Sequence, residues 1–172
     1  MFIAGIGSRE TPEPILSEMI KVGSWCRENR VVVRSGHADG ADYAFEKGAL
    51  LCTEVYLPWP GFNKQLPTLG VSFVVPANPK YDEMVRKYHP APDKLSHGAF
   101  ALMGRNSCQV LGLDLDSPVK AIVCWTKKSG GTQQALRIGK DHNIPILNLI
   151  EEQYNSADKV IEQLKKIGVG NV

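Results

Sequence analysis

Three short stretches of this chain could hold an anion. They are Gly5-Ile6-Gly7-Ser8-Arg9, Ser35-Gly36-His37-Ala38-Asp39-Gly40-Ala41-Asp42 and Ser129-Gly130-Gly131-Thr132, and each follows an apolar run and precedes a helix-forming one. Glycine lets a ligand approach the backbone, and the free N–H groups of a helix start favour negative charge. Hydroxyls at Ser8, Ser35, Ser129 and Thr132 add further hydrogen bonds, so the group that fits is phosphate. Any one such turn is explained by the steric needs of a strand-to-helix connection. Three with the same grammar point to a shared ligand. Arg9 would add a bidentate contact to phosphate oxygens, its alternative being a solvated loop position.

Other side chains could complete the chemistry. Asp39 reads as the cap of the helix that follows it. Asp42 either reinforces that helix start or accepts a hydrogen bond from a ribose hydroxyl. Glu46, one turn further on, is either solvated at the surface or, with Asp42, the acid–base pair of an N-glycosidase. Such an enzyme needs a carboxylate to stabilise oxocarbenium character or to activate water. Arg105 and Asn106 interrupt an otherwise apolar helix, and a core-facing arginine must be satisfied by an ion pair or by ligand phosphate. In the loop WPGFN, Trp59 and Phe62 could stack on a base while Asn63 reads its edge, or the aromatics could form a small satellite core. Trp125 could wall the same pocket.

Several familiar devices are missing. The first turn is not GxGxxG, and Arg34 and Ser35 stand where a ribose-binding acid would close the second strand, which argues against a dinucleotide cofactor. The third turn lacks the GK[ST] ending of a P-loop. His37, His89, His97 and His142, like Cys26, Cys52, Cys108 and Cys124, show no metal-ligand spacing, and the thiols read as reduced and structural. No cofactor and no metal are expected.

The elements that must position these residues alternate along the chain. A strand over 1–7 is followed by a helix that Thr11 and Pro12 begin and that runs to about 29, with Ile15, Met19, Val22 and Cys26 on one face. A strand over 30–36, a helix over 39–51 and a strand over 52–58 come next. Between about 59 and 95 prolines at 60, 67, 76, 79, 90 and 92 predict an irregular insertion with one short helix near 82–88. Ser96 caps a helix running to about 111. Strands over 119–126 and 144–149 flank a helix in GGTQQALRIGKDH, and a last helix spans 156–167.

Short strands that are apolar throughout, alternating with helices, predict a Rossmann-like α/β fold: a doubly wound, mostly parallel sheet of about five core strands with helices on both faces. The whole of 1–172 reads as one domain. Twenty basic against 18 acidic residues leave a net charge of only +2, which argues against a broad basic face for duplex DNA. No apolar run approaches the roughly 20 residues of a membrane span, and no basic segment precedes the first apolar run as in a signal peptide. The compartment reads as cytoplasmic, with no membrane partner.

The segments GIGSR, SGHADGADYAFEKGA, FALMGRN and SGGTQQA, in that order, resemble the DNA-processing protein A (DprA/Smf) family. They also resemble its wider SLOG superfamily, which includes the Lonely-guy (LOG) nucleotide hydrolases, over about residues 3–149. The resemblance implies a SLOG-type Rossmann domain. It places Gly7, Ser8 and Arg9 in a phosphate-contacting first loop, and Ser35, Gly36, Gly40 and Asp42 in a second. Arg105 and Asn106 fall in an Arg-Asn helix motif, and Gly130, Gly131 and Thr132 in a third loop. A homo-oligomer is implied as well.

Two departures stand out. Ser107 follows Arg-Asn where DprA proteins usually continue with arginine. Gln133, Gln134 and Ala135 follow Thr132 where the PGGxGTxxE motif of LOG enzymes carries its catalytic glutamate. The expected function is binding of a phosphorylated nucleotide or nucleotide-derived ligand at the C-terminal edge of the sheet. The alternatives are an N-glycosidase acting on nucleoside monophosphates, for which Asp42 and Glu46 are the carboxylates, and single-stranded DNA binding of the DprA kind.

Overall fold

The computed structural model describes residues 1–64 and 72–170, and these form six strands and six α-helices. The order is β1 (Phe2–Gly7), α1 (Glu13–Glu28), β2 (Val32–Ser35), α2 (Ala41–Ala49), β3 (Thr53–Leu57), β4 (Ser72–Val74) and α3 (Pro79–Tyr88). Then follow α4 (His97–Leu111), β5 (Ile122–Trp125), α5 (Thr132–Asp141), β6 (Ile146–Asn148) and α6 (Ala157–Lys166). All strand pairs are parallel, and the sheet runs β4-β3-β2-β1-β5-β6.

That order decides where a site can form. From β1 the chain works outward through β2, β3 and β4, then crosses back to β5 on the other side of β1 and ends at β6. The connections leaving β1 and β5 therefore diverge to opposite faces, opening a crevice at the carboxyl ends of these strands.

Period-two alternation sends side chains to both faces. Ile3, Val33, Val123 and Leu147 pack with Met19 and Val22 of α1, Phe45 of α2, and Val160 and Leu164 of α6. On the opposite face Ala4, Ile6, Ile122 and Cys124 meet Val110 and Leu111 of α4 and Ala135 and Ile138 of α5. Tyr56 meets Tyr81 of α3 and Cys108 of α4 there. Each fully buried large apolar side chain contributes about 1.5–3 kcal/mol, so both layers fix the sheet firmly. Helices α1 and α2 touch through their backbones: a methyl group on Gly48 would lie 2.9 Å from Ser24 N, and one on Gly23 2.9 Å from Ala49 N.

The doubly wound architecture matches the expectation, with six strands rather than about five. The extra strand, β4, lies in the proline-bearing stretch and, among the described residues, pairs with β3 alone, through Val55↔Ser72, Tyr56↔Phe73 and Leu57↔Val74. A three-residue edge strand is too short to leave a periodic signal. Pro67, with the rest of 65–71, lies outside the described residues. Helix α3 begins at Pro79, not near 82, because proline suits the first helical position and Asn78 accepts from Lys80 N at 3.0 Å.

Two expected caps act otherwise. Thr11 Oγ1 donates to Ser8 O at 2.7 Å, and α1 has Pro12 at its cap without a side-chain bond. Asp39 accepts from Asn63 Nδ2 at 2.9 Å, while Gly40, at φ +83°, precedes α2. Ser96 and Ser156 cap α4 and α6 as expected. No helix among the described residues is long and apolar enough to cross a membrane.

Candidate functional site

A cleft of about 450 Å³ occupies the crevice between the ends of β1 and β5. Its walls are the turn after β1 (Gly7, Ser8, Arg9), the turn after β5 (Ser129 to Thr132) and one face of α4. These are the first and third glycine turns singled out in the sequence.

The first turn is fastened at Ser8. Its N–H donates to Trp125 O at 3.0 Å, and its carbonyl accepts from Thr11 Oγ1 and, at 3.4 Å, from Ala41 N. Gly7 must be glycine, since a Cβ there would stand 2.7 Å from both Ala41 Cβ and Trp125 O. Arg9 is exposed and makes no hydrogen bond or ion pair among the described residues. In the third turn Gly130 adopts φ +103°, and the carbonyls of Gly130 and Gly131 accept from Gln133 N and Gln134 N to start α5. The N–H groups of Gly130, Gly131 and Thr132 keep no acceptor among the described residues, which leaves three donors at a helix amino terminus beside the cleft.

The floor comes from α4. Arg105, 4% exposed, donates from Nη1 to Gly36 O and to Tyr56 O (3.4 Å), and from Nε to Asn106 Oδ1 at 3.1 Å. Its guanidinium carbon lies 5.6 Å from the centre of the Phe62 ring. No hydrogen bond uses Nη2 among the described residues. Asn106 Nδ2 donates to Gly131 O at 3.2 Å, so the neighbouring residue ties α4 to the third turn.

Asp42 also lines the cleft and is 4% exposed. Its Oδ2 accepts from Gly36 N at 3.1 Å and from Gln109 Nε2 at 3.3 Å. Burial pushes its carboxyl up to about 6 and the Glu46 charge adds to this, while the Arg105 charge and the Gln109 bond oppose it. Burial likewise lowers the pKa of Arg105, against the pull of Asp42 and Glu46.

The second glycine turn supports the cleft from behind, and only Ala38 and Asp42 of it reach the lining. Ser35 is fully buried and donates to Glu46 Oε1 at 2.7 Å. Gly36 leaves room for the guanidinium, since a Cβ would lie 2.5 Å from Arg105 Cζ. Glu46 is not solvated: it also accepts from His37 N at 2.9 Å and pairs with His37 Nδ1 at 2.6 Å. That bond raises the His37 pKa, against burial.

The WPGFN loop is likewise outside the lining. Phe62 is buried against Val55 and Leu57, Trp59 stands 39% exposed edge-on to Phe62, and Asn63 donates to His37 O and Asp39. Trp125 packs in the core beneath α1 and α2. Of the residues singled out, the cleft thus brings together Gly7, Ser8, Arg9, Asp42, Arg105, Asn106, Gly130, Gly131 and Thr132, and leaves Ser35, Gly36, Gly40, Glu46, Trp59, Phe62 and Asn63 off its surface. Sequence reasoning missed Gln109, Met103 and Thr126, which also line it. Gln109 stands four residues after Arg105, a spacing that puts both on one helix face.

No family model matches the chain, and no curated protein does. Solved structures do. DNA processing protein A from Helicobacter pylori, described for its unique single-stranded DNA binding mode, superposes with a TM-score of 0.62 at 18% identity. It covers 96% of this chain and 72% of that one. DprA from Streptococcus pneumoniae gives a TM-score of 0.55 at 19% identity, over 97% of this chain and 56% of that one. The chain therefore has the DprA-like Rossmann fold that its four motifs imply, and spans only part of those proteins' length.

Proposed function

We propose that this chain binds a phosphorylated nucleotide or nucleotide-derived ligand, with phosphate seated in the cleft between β1 and β5. The observation that supports this most is Arg105. A guanidinium 4% exposed is costly to desolvate, yet it makes no direct hydrogen bond to a carboxylate and directs no Nη2 bond to the protein among the described residues. An anion in the cleft would meet this group on one side and the N–H groups of Gly130, Gly131 and Thr132 on the other. Arg9, exposed at the rim, adds a second cationic contact. A cleft of about 450 Å³ is within the range of small-molecule sites.

A second reading follows from the neighbour described for single-stranded DNA binding. A strand laid along the sheet edge would seat one backbone phosphate in the same cleft and bring a base toward exposed Trp59. Thermal-shift and calorimetric titrations with nucleoside mono-, di- and triphosphates and with short thymidine oligomers test both readings. Arg9→Ala is expected to weaken phosphate binding by about 1.5–3 kcal/mol, the worth of a charged hydrogen bond. A strand shows affinity falling with salt by about 0.7 log units per log unit for each phosphate contact. Absence of any shift with either ligand class removes the cleft from ligand binding.

A further inference from the structure

The ionisable groups lining the cleft are Arg9, Glu10, Asp42 and Arg105, two cations and two carboxylates. Glu10 is exposed at the rim, whereas Asp42 sits in the floor beside Arg105. A dedicated phosphate site has no need of a buried carboxylate there. Phosphate is held by donors, and Asp42 offers only acceptors when ionised, both of its identified bonds being received from Gly36 N and Gln109 Nε2. Asp42 remains in place because α2 begins one residue before it and because Gln109 and Gly36 anchor it. Its charge is therefore a fixed part of the field that an entering anion meets.

Resting on the phosphate reading above, the geometry points to Asp42 as the residue that sets which anion is accepted: a phosphodiester, with one negative charge, is held, and the second charge of a phosphomonoester is repelled. Directional bonds from Arg105 and the third-turn N–H groups serve either anion equally. The additional charge of a monoester meets a cleft whose two cations are already matched by two carboxylates, so it gains no net attraction. The ligand class this describes is a nucleotide-derived diester, from a nucleic-acid strand or from a cyclic nucleotide.

Protonation of Asp42 should relax the filter. The groups around it are Arg105 and Gln109 from α4, Glu46 from its own helix with His37 behind it, and Arg9 and Glu10 of the first turn, which share the cleft lining. Burial pushes its carboxyl up to about 6, and the bond to Glu46 raises the pKa of His37 as well. Anion binding should tighten as pH falls through about 6 and Asp42 loses its charge.

The test uses dimethyl phosphate, singly charged at all relevant pH, and methyl phosphate, doubly charged at pH 8, followed through the amide signals of Gly130 and Gly131 in the full chain. In the wild type at pH 8 the monoester is expected to bind no tighter than the diester. Asp42→Asn should shift the ratio of their affinities about tenfold toward the monoester, roughly one pK unit of interaction. An unchanged ratio in a folded Asp42→Asn protein overturns the proposal, as does a wild-type preference for the monoester. The pH arm needs no variant: affinity for dimethyl phosphate that stays flat between pH 8 and pH 5 also overturns it. If neither anion moves these signals, the phosphate reading itself has failed. A thymidine trinucleotide against a cyclic dinucleotide then identifies the source of the diester by which binds tighter, and both binding more weakly than thymidine 5′-monophosphate counts against the filter.

Discussion

Gly48→Ala sets two known effects against each other, and the structure decides which wins. In an exposed helix the change would stabilise by about 1 kcal/mol, the helix-propensity difference between the two residues. Here a methyl group would lie 2.9 Å from Ser24 N and 3.0 Å from Ile20 C, with Ile20 O nearer still. All three are backbone atoms of α1, so no side chain can swing aside. To restore ordinary separation the two helices must part by about 1 Å, which loosens Met19, Val22, Phe45 and Ala49 around the crossing. Overpacking of this kind costs about 1–3 kcal/mol, and more where backbone is the obstacle, so a net loss of about 2 kcal/mol is expected. For a chain of this size that is a Tm about 4–8 °C lower. Thermal and urea unfolding measure it, with Lys47→Ala on the exposed side of the same helix as the control expected within about 0.5 kcal/mol of wild type. A Tm equal to or above wild type in Gly48→Ala would refute the claim that α1 and α2 meet backbone to backbone.

Two further outcomes follow from titrating groups. The carboxyl of Asp42 is raised from 3.8 to about 6, so its penalty is absent below about pH 4 and fully felt above about pH 6. Asp42→Asn should therefore be more stable than wild type at pH 8, by up to about 3 kcal/mol, with the difference shrinking to its low-pH baseline near pH 4; urea titrations at a series of pH values that run parallel would contradict this. His37 has a raised pKa through its bond to Glu46, so the pair's stabilisation is present at low pH and lost as pH rises through the folded value. His37→Gln should flatten stability on the alkaline side of the ordinary histidine range, and a wild type already flat there would show that the pair contributes nothing.

The parts of the site that could be read in residue order are those with local causes. The turns after β1 and β5 announce themselves because glycine, hydroxyl and helix start are neighbours in the chain. Arg105 was legible as a charge inside an apolar helix that had to find a partner. Glu46 was not: its spacing suits a surface position, but His37 adopts φ +55°, which brings its own N–H and ring back onto that carboxylate. Hydrophobic periodicity carries no trace of such a backbone angle. Gln109 was overlooked because an amide in an apolar helix has no distinguishing type signal, although its spacing from Arg105 was visible. Strand β4 depends on pairing with β3, a distant cause for three residues at an edge.

The cleft is assembled from segments around residues 8, 42, 105 and 130, which meet only once the crossover from β4 back to β5 has closed. Any contiguous fragment that contains it must run at least from Ile6 to Ala135. A ligand seated there consequently binds only states in which β1, α2, α4 and the turn after β5 have already come together. Occupancy at a hundred times Kd would add about 2.7 kcal/mol to the stability of the entire sheet, and would slow its degradation to match. For such a protein, abundance in the presence of ligand becomes a measure of binding in its own right.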